Sequence, residues 1–75
     1  MKFKSIRMLC NASAYAIEAF NADGEKESRE IHLDYTPDAR AQLAAYDDAE
    51  VARIRPIVTE WHGEQVYTLE VELNV

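Results

Sequence analysis

Two glycines, two prolines and one cysteine are all that 75 residues contain of those types, and each scarcity closes off a class of protein. The lone thiol, Cys10, allows no internal disulfide and no cysteine-based zinc cluster. It reads as a small buried hydrophobe in a reducing, cytosolic setting. Two histidines do not supply a catalytic zinc site, and no other cofactor is expected. Gly24 and Gly63 stand alone, so there is no glycine-rich phosphate loop. No stretch approaches a membrane span, and no signal-peptide pattern is visible. The expectation is one small α+β domain over residues 1–75, cytoplasmic and without membrane contact. A core this small, with no staple, is marginal or needs a partner.

Basic residues are also short: 8 Lys and Arg against 14 Asp and Glu, a formal charge of −6. The first ten residues carry Lys2, Lys4 and Arg7 with no acid. The last sixteen carry Glu60, Glu64, Glu70 and Glu72 with no Lys or Arg. Such a chain repels nucleic acid, whose binding rests on neutralised phosphates, and suits a basic protein surface instead.

What is present is periodicity. From Gln65 onward Tyr67, Leu69, Val71, Leu73 and Val75 alternate with Val66, Thr68, Glu70, Glu72 and Asn74, the mark of a strand with one buried face. A three-residue loop Trp61-His62-Gly63 would set Ile57 opposite Tyr67 and complete a hairpin. Pro56 cannot donate to a ladder, which places its strand at an edge or a bulge. Upstream, Tyr15-Ile17-Ala19 and Ile31-Leu33-Tyr35 alternate on either side of Ala22-Asp23-Gly24. They predict a second hairpin that pairs Tyr15 with Ile31 and Ile17 with Arg29, although the alanines of 11–22 also suit a helix. Lys2 to Cys10 reads as a strand whose bases would face Glu70 and Glu72. Thr36-Pro37-Asp38 announces a helix, with Ala39, Leu43 and Tyr46 as its apolar stripe and Asp47-Asp48 opposing its continuation. The predicted fold is an antiparallel sheet of four to five strands, ordered β-β-β-α-β-β, with one helix on one face. The predicted core is Ile17, Ile31, Leu33, Leu43, Tyr67, Leu69, Val71 and Leu73.

No constellation of nucleophile, base and acid stands out, so no enzyme is expected. Asp47, Asp48 and Glu50 lack the glycine and alternation of a calcium loop and read as a solvated face. His32 alternates with Glu30 and Asp34 and reads as a surface histidine. Trp61, at a loop tip, reads either as a contact residue or as the lid of the core. The candidate partner-binding residues are Glu60, Trp61, Glu64, Glu70 and Glu72. Glu70 and Glu72, two residues apart on one strand face, lie about 6.5–7 Å apart, close to the spacing of phosphates along one nucleic-acid strand.

In size, acidity and lack of enzymatic motifs the chain resembles the small single-domain inhibitors encoded by phages and mobile elements, anti-CRISPR proteins among them. That resemblance implies a stoichiometric inhibitor that occupies the nucleic-acid-binding surface of an effector complex. It carries no residue roles. The alternative is a structural or assembly module, most simply a homodimer joined at the edge of its long last strand.

Overall fold

The computed structural model describes residues 1–75 and orders them as α1 (Phe3–Leu9), β1 (Ala14–Phe20), β2 (Lys26–His32), α2 (Ala39–Ala44), β3 (Glu50–Trp61) and β4 (Glu64–Asn74). The four strands form one sheet in the order β2-β1-β4-β3. It is α+β, as expected, but the sheet is mixed. Two antiparallel hairpins lie side by side and join through β1 and β4, which run parallel.

The first hairpin has the predicted register, with Tyr15 opposite Ile31 and Ile17 opposite Arg29. Asn21 and Glu25 close a loop around Ala22-Asp23-Gly24, and Gly24 takes the left-handed conformation (φ 81°) that this loop demands. The second hairpin differs by one residue. Its loop is His62-Gly63, both with positive φ (51° and 79°), so Trp61 faces Glu64 and Ile57 faces Thr68. Two positive φ values define the two-residue turn that best matches strand twist, and histidine tolerates this region better than most residues. A one-residue slip exchanges the faces of β3. Ile57, Thr59 and Trp61 therefore stand on the Thr68 side, and Ile54 and Val58 on the Val71 side. An irregularity between Val51 and Arg53 then returns Val51 to a place opposite Leu73.

The expected N-terminal strand is helix α1. The place it would have taken beside β4 is filled by β1, and its apolar residues serve a helix instead. Phe3 and Ile6, one turn apart, are buried, whereas Met8 is 71% exposed. Lys2 and Arg7 accordingly reach Glu50 and Asp47, not Glu70 and Glu72. Helix α2 begins later than Thr36-Pro37-Asp38 suggests. Thr36 Oγ1 accepts the His32 N–H at 2.9 Å and so caps the end of β2, and Asp38 stands before the helix in the left-handed region (φ 55°).

Both helices lie on the face made by the odd residues of β1 and β4. The core there is Phe3, Ile6, Tyr15, Ile17, Ala19, Ile31, Ala39, Leu43, Leu69, Val71 and Leu73, with Leu33 and Tyr46 packed at its margin. Tyr67, expected in this core, is 75% exposed, because β4 runs past the point where β1 begins and nothing covers its first residues. Arg7 ties α1 to the turn that follows α2: its Nε and Nη2 donate to the two Asp47 carboxylate oxygens at 2.6 and 2.8 Å.

Candidate functional site

The opposite face of the sheet carries no helix, yet Ala14, His32 and Thr68, a row across β1, β2 and β4, are buried at its upper end. The cause is the curl of the second hairpin. Trp61, at the end of β3, stacks on His32 at the end of β2 with ring centroids 4.2 Å apart, although β4 and β1 separate their strands. Tyr35 and His62 lean against Trp61, at centroid distances of 6.3 and 4.7 Å. His32 is thus a buried residue, not a surface one. Its Nε2–H donates to Glu30 at 2.6 Å, since an ionised carboxylate only accepts. The Trp61 Nε1–H is buried without a partner.

Beside this stack lies a cleft of about 150 Å³, lined by Ser13, His32, Asp34, Tyr35, Glu64, Gln65, Val66 and Tyr67. It opens where β4 continues past the start of β1. Asp34 and Glu64 supply its charge, and Tyr35 (57% exposed, one side against Trp61 and His62) and Tyr67 stand exposed at its rim. None of Asp34, Glu60 and Glu64 meets a Lys or Arg in an ion pair. Seven of the eight residues that line the cleft come from 30–39 and 56–75, and neither segment contains a Lys or Arg.

The residues singled out from the sequence are divided by the fold. Trp61 and Glu64 come together at this end, on one face of the hairpin. Glu60, opposite Gln65, lies on the other face of the same tip. Glu70 and Glu72 sit lower on the helix-free face. Arg55 holds Glu70 at 3.0 Å, and Glu72 stands opposite Arg53, so the phosphate-spaced pair is matched by bases within the sheet. Sequence reasoning missed Asp34, Tyr35 and His32 as members of the cluster. The signal available was the absence of bases from 30–39, which pairs that segment electrostatically with 56–75.

Asp47 and Glu50 are occupied, whereas Asp23, Glu25, Asp38 and Asp48 stand unpaired at other places on the surface. The Arg7 hydrogen bonds hold the Asp47 carboxyl below its ordinary pKa, aided by the Arg7 charge, and the Lys2 and N-terminal ammonium groups do the same for Glu50. Burial raises the Tyr15 phenol, whose hydroxyl donates to the Cys10 carbonyl. Ser13, His32 and Asp34 share the cleft, but no hydrogen bond links Ser13 to His32, and the His32 Nε2 is engaged by Glu30. No group of three or more His, Cys, Asp or Glu is arranged to hold a metal ion. No helix is long and apolar enough to cross a membrane. No protein-family model, curated protein or solved structure matches this chain.

Proposed function

We propose that this chain is a protein-binding module, with no chemistry of its own, whose contact surface is the acidic, aromatic end of the sheet. One observation carries the reading. Asp34 and Glu64, free of internal cations, flank a cleft walled by the exposed rings of Tyr35 and Tyr67, while Asp47, Glu50 and Glu70 are taken up by the fold's own bases. A cationic side chain fits such a place, because it gains from both carboxylates and from the aromatic faces. The partner is a basic protein surface. A surface built for nucleic acid is one such partner, and the protein would then act as a stoichiometric inhibitor by occupying it. The negative end speeds encounter with basic partners and rejects acidic ones.

The test is capture from host lysate by the parent and by an Asp34→Lys/Glu64→Lys variant, at low and high salt. The variant should keep its far-ultraviolet circular dichroism and lose the partner, and the parent's capture should weaken with salt. Equal capture by the folded variant contradicts the reading.

The homodimer reading loses the edge on which it was expected, because β4 lies between β1 and β3, and it keeps one observation in its favour. β3 is an edge strand, and Ile54 (40%) and Val58 (57%) are exposed along it. Pro56 counts against it. Ladder bonds alternate from the Trp61–Glu64 closing pair, so the even residues of β3 face outward, and at 56 that edge has no N–H to give.

A further inference from the structure

We infer that the cleft receives an extended, basic peptide segment as an additional length of strand beside β4, in line with β1. This rests on the reading above and names the form its partner takes. β4 turns its even residues towards β3, since the hairpin closes on Trp61 and Glu64 and ladder bonds recur every second residue. Its odd residues turn towards β1, as the 3.0 Å bond from the Ser13 N–H to the Tyr67 carbonyl shows. Gln65, two residues earlier, turns the same way, but the β1–β4 ladder ends at Ala14 and Thr68. The Gln65 N–H and C=O therefore open into the cleft as an unmet strand edge.

The line such a segment takes follows from topology. β2 and β4 are the two neighbours of β1. Ser13 still bridges them, accepting from the Leu33 N–H at 3.0 Å and donating to Tyr67. Beyond Ser13 the chain has come from α1, and the line of β1 is vacated. Neighbouring strands stand about 4.7–4.9 Å apart, so a segment continuing the line of β1 would lie at ladder distance from the β4 edge, with the Tyr35 ring of the 33–36 turn swung towards Trp61 and His62 beside it. The Trp61–His32 stack lies beneath it on the helix-free side. Backbone bonds to Gln65 would fix an incoming segment, and Asp34 and Glu64 at the two walls select Lys or Arg on it.

An acetylated, amidated hexapeptide of alternating Lys and Thr is a suitable probe, compared with the same peptide methylated at its backbone nitrogens. Amide hydrogen exchange should show the Gln65 N–H protected by the first peptide. Backbone methylation should weaken binding about tenfold or more, the effect of losing one or two hydrogen bonds. Equal binding of the methylated peptide, or an unprotected Gln65 amide in the bound state, overturns strand addition and leaves the charge-based site standing. Failure of the peptide to bind, while lysate capture still depends on Asp34 and Glu64, also overturns strand addition alone. If capture is indifferent to those two residues as well, the proposed site itself fails.

Discussion

Trp61 and Asp47 show how single side chains join distant parts of this chain. The Trp61 ring closes the upper end of the helix-free face through its stack on His32, but its Nε1–H finds no acceptor. A buried, unmet donor costs about 1–3 kcal/mol. Trp61→Phe removes that donor and keeps a stacking ring, so chemical denaturation should show a loss of less than about 1 kcal/mol or a gain. Trp61→Ala, which also removes the ring, should cost about 2–4 kcal/mol, somewhat under the range for fully buried aromatics because Trp61 is only half-buried. Asp47 works through charge. Its carboxyl is held below the usual range by Arg7, so its contribution is fully present above the unfolded pKa of about 3.9 and is lost as pH falls through the lower folded pKa. Asp47→Asn should destabilise by about 0.5–1 kcal/mol at neutral pH, because the pair is partly exposed. The gap between variant and parent should close on acidification, and denaturation midpoints across pH check this.

Among the elements, the first hairpin was legible in its register, although the alanines of 11–22 left a helix open and β2 stops at His32, three residues before the alternation does. Gly24 marks its loop, and once both runs are taken as strands the alternation sets the register. The second hairpin was legible as a hairpin, but its register was not. His62 precedes the glycine where asparagine would announce a two-residue turn, and both loop lengths fit the apolar pattern. His62→Asn should therefore raise stability by a few tenths to about 1 kcal/mol, read from the thermal midpoint. The N-terminal segment misleads because Phe3 and Ile6 satisfy a helical spacing while Ile6, Met8 and Cys10 satisfy an alternating one. The exposure of Met8 shows which spacing folding uses. Met8→Pro would place a residue without an N–H in the last turn of α1, against the Lys4 carbonyl, at a side chain that is 71% exposed and contributes little packing. A clear loss of stability is expected, whereas a strand-like set of chemical shifts over 3–9 in the parent would contradict the helix. The candidate site was legible only in part. Trp61 and Glu64 stood out on their own strand, but contact with His32 and Asp34 crosses two strands that no local pattern connects.

At the scale of the whole molecule, charge is sorted by the fold. Lys2 and Arg7 neutralise acids at the lower end, and Arg55 meets Glu70 midway along the sheet. Asp23, Glu25 and Asp48 stay unpaired at that lower end too, but only at the upper end do unpaired acids lie beside the exposed rings of Tyr35 and Tyr67. A second surface competes for the role of interface, the helix-side residues Ile54 and Val58 along the β3 edge. If that strip joined two copies, sedimentation at micromolar concentration would show a dimer unaffected by salt. The interruption of the β3 edge at Pro56 leads us to expect a monomer. The most direct test of the account is amide chemical-shift mapping of the labelled protein on addition of its captured partner. The account predicts shifts concentrated in His32–Tyr35 and Trp61–Tyr67, including the Trp61 indole signal. Shifts confined to Ile54, Val58 and α1, with the upper end unmoved, would contradict it.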